Sequence, residues 1–240
     1  MKLDILAIGA HPDDVELGCS GTLAKEIHQG KSVGILDLTR GELGTRGSAE
    51  IRDKESAAAA KILNIKIREN LSFLDGFFIN DKHHQIEIIK IIRKYRPEVV
   101  FCNAVDDRHI DHPKASQLVS ASCFLSGLTK INTKLDGSNT FQEEWRPKFI
   151  YHYLQWKNIS PDICVDISDF MTIKLKAVMA YKSQFFKEGL SEKNTPISTK
   201  NFIDSVEYRA RDLGRLSGVD YAEGFTVERC PLVNSIFDLK

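Results

Sequence analysis

The chain contains no run of about 18 apolar residues, so no membrane span is expected. It has no net charge, because 33 Lys and Arg balance 33 Asp and Glu. A neutral chain offers no electrostatic footprint for nucleic acid or an anionic membrane, and neither is expected as a partner. Cysteine is sparse: five residues (Cys19, Cys102, Cys123, Cys164, Cys230) form no C-x-x-C pair. That pattern excludes a disulfide framework and a thiolate zinc site, and it points to reduced thiols in a cytoplasmic setting. The cysteines are expected to act as small buried hydrophobes. No secretory h-region precedes the first apolar strand. No G-x-G-x-x-G follows that strand either, which removes the glycine-lined approach that a dinucleotide pyrophosphate needs. Internal repeats, low-complexity tracts and linkers are also missing, so residues 1–240 read as a single domain.

What is present is an alternation of strand and helix. Leu3–Gly9 reads as a first strand, followed by a helix from near Ser20-Gly21-Thr22 to Gly30, a glycine suited to a helix C-terminus. Ser32–Leu38 is a second strand, and Thr39–Gly47 a polar, glycine-rich loop. Ser48 opens a helix running to about Leu63, and Lys66–Leu71 is a weaker strand. Ile86–Tyr95 has helical spacing and Pro97 stops it. Glu98–Cys102 is a strand, and Pro113 suits the first helical position, with Ala115–Leu125 behind it. The second half is less regular. It holds strands at Phe149–Leu154 and Ile163–Ile167, a helix at Ser168–Tyr181, a long polar loop at Lys187–Lys200 and an amphipathic helix at Phe202–Leu216. The order predicts an α/β fold: a Rossmann-like, mostly parallel sheet with helices on both faces.

Two polar clusters each follow a strand. The first is Ala10-His11-Pro12-Asp13-Asp14; the second is Asp107-Arg108-His109-Ile110-Asp111-His112-Pro113. Ligands bind outside the carboxyl ends of strands in open α/β sheets, so both clusters should share one rim. His11, Asp14 and His112 are candidate ligands of one divalent metal, Zn²⁺ by preference, with Fe²⁺ also suited to two imidazoles and a carboxylate. Three protein ligands leave a position for water, the arrangement of a catalytic site. Asp13 is a candidate general base. His109 is a candidate oxyanion stabiliser, kept charged by a hydrogen bond that it donates to Asp111. Taken singly, Asp13, Asp14 or Asp111 could instead cap a helix. The loop after the second strand adds Arg40, Glu42 and Arg46, and Glu42 is a candidate substrate contact. Arg52, in the first turn of its helix, is mildly unfavourable against the helix dipole, so an anion beside it is expected. Arg108 suits a carboxylate through its planar fork, or else pairs with Asp106 or Asp107. His28, His83, His84 and His152 lack such surroundings and are expected at the surface. The long loop at Lys187–Lys200 is a candidate lid.

The Ala-His-Pro-Asp-Asp motif, Thr39-Arg40-Gly41-Glu42-x-Gly44 and His109-x-Asp111-His112 together resemble the LmbE/PIG-L family of metal-dependent N-deacetylases. Further strings resemble its bacillithiol-pathway branch, the N-acetylglucosaminyl-malate deacetylases: Tyr181-Lys182-Ser183-Gln184-Phe185, Arg209-Ala210-Arg211-Asp212-Leu213-Gly214 and Tyr221-Ala222-Glu223-Gly224-Phe225. The resemblance implies His11, Asp14 and His112 as zinc ligands, Asp13 as base, His109 as stabiliser backed by Asp111, and Arg52 at the substrate. It implies a small glucosaminide substrate and a homo-oligomer, often a hexamer. One departure is Ile110, where that branch often has proline. Deacetylation of free N-acetylglucosamine, a chitooligosaccharide or another acylated amine stands as the alternative. A non-catalytic sugar- or nucleotide-binding protein is more remote, since binding alone does not require Asp13 beside a metal.

Overall fold

The computed structural model describes residues 1–135, 137–185 and 193–239. Its elements run β1 (Ile5–Gly9), α1 (Asp14–His28), β2 (Val33–Thr39), α2 (Ala49–Leu63), β3 (Ile67–Phe73), α3 (Lys82–Tyr95), β4 (Val99–Cys102), α4 (Asp111–Ser126), β5 (Phe149–Tyr153), β6 (Ile163–Asp166), α5 (Met171–Val178), α6 (Lys200–Ser217) and β7 (Ala222–Val227). The seven strands form one sheet in the order β3-β2-β1-β4-β5-β7-β6. β1 to β5 pair in parallel. β7 is antiparallel to both β5 and β6. The α/β fold with a mostly parallel sheet in a single domain is thus as the sequence predicts.

Alternation along the strands builds a core on each face. Leu6, Ile8, Leu36, Leu38, Val100 and Cys102 pack with α3 and α4. Ile5, Ala7, Val33, Ile35 and Phe101 pack with α1 residues Val15, Cys19 and Leu23. The chain leaves β1 for β2 on one side and reaches β4 on the other, so the strand order reverses between β1 and β4. That reversal opens a crevice at the carboxyl ends of the strands.

Several boundaries differ from expectation. α1 begins at Asp14, well before Ser20. Gly18 and Gly21 weaken the local helical preference, but packing requires them. A Cβ on Gly18 would lie 2.2 Å from Tyr153 Cδ2, and one on Gly21 2.7 Å from Ile167 Cδ1. α3 starts at Lys82, capped by Asp81, whose carboxylate accepts from His84 N. α4 starts at Asp111, which puts Pro113 inside its first turn. The helix expected over Ser168–Tyr181 is a 3-10 turn at Ser168–Phe170 followed by α5, which ends at Val178. β7 was not expected, because Glu223 and Gly224 carry little strand preference.

His28 and His83 are exposed, but His152 is buried in β5, which corrects its assignment to the surface. All five thiols are free: Cys19, Cys102 and Cys123 are buried, while Cys164 is half-buried and Cys230 exposed. Among the described residues no helix is long and apolar enough to cross a membrane.

Candidate active site

Loops from the carboxyl ends of β1 to β5 meet at the crevice and line a cleft of about 500 Å³. From β1 come His11, Asp13 and Asp14; from β4 come Asn103, Asp107, His109 and His112; from β5 comes Gln155. His112 Nε2 lies 3.0 Å from Asp14 Oδ1, and His11 Nδ1 lies 3.4 Å from Asp14 Oδ2. The structure therefore brings His11, Asp14 and His112 together across the gap between β1 and β4.

Each of these side chains is oriented by a group on its far side. His11 Nε2 faces Asp75 Oδ1 at 3.0 Å and Asp111 Oδ2 at 3.3 Å. His112 Nδ1 meets Asp107 Oδ2, whose other oxygen accepts from the backbone of Trp156 and Lys157. Asp14 accepts from His11 N, Asn103 Nδ2 and Gln155 Nε2 at 2.9–3.0 Å. Carboxylates and amides behind imidazole and carboxylate ligands are the usual means of fixing tautomer and direction at a metal. The donor set fits Zn²⁺ or Fe²⁺. Two groups of potential donors share His11: His11, His109 and His112, and His11, Asp75 and Asp111. In the second group Asp75 also accepts from Leu43 N, and Asp111 from Gly76 N and Lys114 Nζ. Those carboxylates are engaged as acceptors behind His11.

Asp13 precedes α1 with φ 112, a left-handed conformation rare outside glycine. Its side chain makes no cap hydrogen bond. Instead Asp13 Oδ2 accepts from Arg52 at 3.0 Å. Burial pushes the Asp13 carboxyl up to about 7, partly offset by Arg52. Burial also opposes ionisation of Asp14, but His112 and His11 outweigh it and hold that carboxyl well below its usual range.

The expected partnership of Asp111 with His109 is corrected. The Asp111 carboxylate reaches His11, and it is the Asp111 backbone N–H that donates to His109 Nδ1, at 3.3 Å. Burial, then the nearby His11 and His112, lower the His109 pKa below its usual value. With Nδ1 accepting, the ring proton sits on Nε2 and remains available as a donor. The His109 ring lies against both neighbours, with centroids 4.7 Å from His11 and 4.9 Å from His112.

Arg52 also lines the cleft. It is buried, bound to Asp13, and donates to the backbone carbonyls of Pro12 and Gly41, so its charge already has a partner. Gly41, with φ +64, lets the loop pass over it, since a Cβ there would lie 2.0 Å from the guanidinium. Glu42 does not line the cleft; it accepts from Asp75 N and ties two loops together. Arg108 lines the cleft and stacks on Trp156 at 4.5 Å, paired with neither Asp106 nor Asp107. Of the expected lid, residues 187–192 lie outside the described residues; Thr195, Pro196 and Ile197 line the cleft.

Sequence reading missed Asp75, Asn103 and Gln155, and used Asp107 only as a foil for Arg108. A usable sign was position, because each follows a predicted strand and so belongs on the same rim. It missed Arg209 as well, which reaches the cleft from α6.

Residues 6–123 match the protein family described as GlcNAc-PI de-N-acetylase, PIG-L. The chain is 31% identical to the diacetylchitobiose deacetylase of Thermococcus kodakarensis, over 92% of this chain and 81% of that protein. The crystal structure of a conserved protein from Thermus thermophilus superposes with a TM-score of 0.85 at 38% identity, over 98% of both chains. The N,N'-diacetylchitobiose deacetylase of Pyrococcus horikoshii superposes with a TM-score of 0.76 at 28% identity, over 93% of this chain and 82% of that one. With the fold, the strand-end cluster and these likenesses in agreement, the chain belongs to the LmbE/PIG-L family of deacetylases.

Proposed function

We propose that the protein is a zinc-dependent N-deacetylase in which His11, Asp14 and His112 hold the metal. The observation that carries this is the convergence of those three side chains, each backed by its own acceptor or donor. When bound, a zinc ion would polarise the acetamide carbonyl and make a water molecule nucleophilic near neutral pH. Asp13, steadied by Arg52, takes the proton from the attacking water and passes it to the departing nitrogen. His109 donates from Nε2 to the oxygen that gains charge as the tetrahedral centre forms. The C–N bond breaks, and acetate and a free amine leave. Leu154, Trp156 and Phe202 give the same cleft apolar surface.

The substrate of this reading is an N-acetylglucosamine conjugate with an anionic aglycone, N-acetylglucosaminyl-malate. Support comes from the branch-like C-terminal motifs and from arginines along the cleft. The second reading is a chitooligosaccharide, favoured by the relatives named for diacetylchitobiose. The free thiols suit a cytoplasmic enzyme. Acetate release by metal-loaded protein tests this on N-acetylglucosaminyl-malate, N-acetylglucosamine and diacetylchitobiose. The highest kcat/KM is expected on the malyl conjugate. A higher value on diacetylchitobiose selects the second reading, and no acetate from any substrate overturns deacetylation.

A further inference from the structure

Among the described residues, four arginine and lysine side chains line the cleft: Arg52, Arg108, Lys174 and Arg209. Arg52 is held by Asp13, and Lys174 donates to Glu223 at 2.6 Å and to the Leu17 carbonyl at 2.7 Å. Arg108 is exposed at the mouth, over the Trp156 ring. Arg209 differs from all three. It is half-buried on α6, beside Val206, Ala210 and Leu213, and forms no hydrogen bond or ion pair among the described residues.

The helix itself offers Arg209 no partner. Its neighbouring arginines are engaged: Arg211 with Glu207 and Tyr221, and Arg215 with Asp212. The acid whose charge reaches Arg209 is Asp107, and both Asp107 oxygens are already bonded, to His112 and to the backbone of Trp156 and Lys157. Burial disfavours the Arg209 charge. A guanidinium cannot escape this cost by losing its proton, so an anion entering the cleft would offset it. The guanidinium presents a planar fork that matches a carboxylate in two parallel hydrogen bonds.

We propose that Arg209 is a specificity-determining residue that binds a carboxylate on the part of the substrate beyond the sugar. The inference rests on the glucosaminide-deacetylase reading above and names the residue that reads the anion. Arg209 sits in the same cleft as His11, Asp14 and His112, so one substrate can present its acetamide to the metal site and its carboxylate to α6. Apolar neighbours strengthen that contact by keeping water from it.

The test compares kcat/KM on N-acetylglucosaminyl-malate with that on methyl N-acetylglucosaminide, for wild type, Arg209→Gln, Arg209→Lys and Arg108→Gln. Circular dichroism and melting curves check that each variant folds. Wild type should prefer the malyl substrate. Arg209→Gln should lower that preference about ten- to a hundredfold, chiefly through KM, the range for a lost charge-assisted hydrogen bond. Arg209→Lys, which keeps charge but not the fork, should fall between. An unchanged preference in Arg209→Gln overturns the role of Arg209 while leaving the malyl reading intact. So does an equal loss on both substrates, or a larger loss of preference in Arg108→Gln. A wild-type preference near one removes the malyl reading and the role of Arg209 together, with acetate release from the neutral glycoside still reporting deacetylation.

Discussion

At the scale of single residues, an aspartate next to a metal ligand can be a further ligand, a helix cap or a base. Asp13 caps nothing, and its carboxylate lies on Arg52. On the proposed reading, Asp13→Asn should still bind zinc and lose roughly 10²–10⁴ in kcat, the usual worth of a general base. Metal analysis beside steady-state kinetics checks this; loss of zinc in the variant would make Asp13 a ligand. Asp75 acts one step further out, on the far nitrogen of His11. Such partners set ligand direction, and Asp75→Asn should weaken zinc affinity about 10–100-fold. Competition with a chromophoric chelator measures it, and unchanged affinity would leave orientation of His11 to Asp111.

At the scale of elements, α1 shows how tertiary packing overrides local preference. Its first turns carry Asp14, yet they also carry Gly18, because the fully buried Tyr153 ring lies against that backbone. The Tyr153 hydroxyl donates to the Ile8 carbonyl at 2.9 Å, so the ring has little freedom to retreat. Gly18→Ala should destabilise by about 1–3 kcal/mol as an overpacked contact. For a chain of this size that lowers Tm by roughly 2–12 °C. Calorimetry tests it, and an unaltered Tm would mean that α1 can shift without cost. Strands β1, β2 and β4 were legible because buried parallel strands read as continuous apolar runs. β7 was not, because its place between β5 and β6 depends on partners distant in the chain.

At the scale of the whole molecule, the parallel and antiparallel parts of the sheet are tied at His152. This ring on β5 faces Glu228 beyond β7 through Nε2 at 3.0 Å, and Ser116 of α4 through Nδ1 at 2.8 Å. Burial disfavours a charged ring, but the Cys102 sulfur, the Glu228 carboxylate and the Asn103 carbonyl outweigh it and push His152 up to about 11. A pKa raised on folding adds stability that is complete below the unfolded value near 6.5 and fades as pH rises toward 11. The Tm advantage of wild type over Glu228→Gln should thus be largest near pH 6 and shrink steadily above pH 7. A constant or growing advantage between pH 7 and 10 would show that the pair is not ionised as described.

The sequence by itself determined which chemistry is available and on which rim it lies. His11, Asp13, Asp14, His109 and His112 follow apolar runs, and parallel strands all end on the same side, so strand assignment alone carries them to one edge. It could not determine which group faces which. Asp111 is two residues from His109 yet directs its carboxylate to His11, 100 positions away. Arg52 is turned inward onto Asp13 across 39 positions. Asp75 and Gln155 enter from loops that carry no motif. Hydrogen bonds act over about 3 Å and ignore separation along the chain. Their pairing was therefore decided only when β1 and β4 came together and the loops of β2, β3 and β5 closed around them.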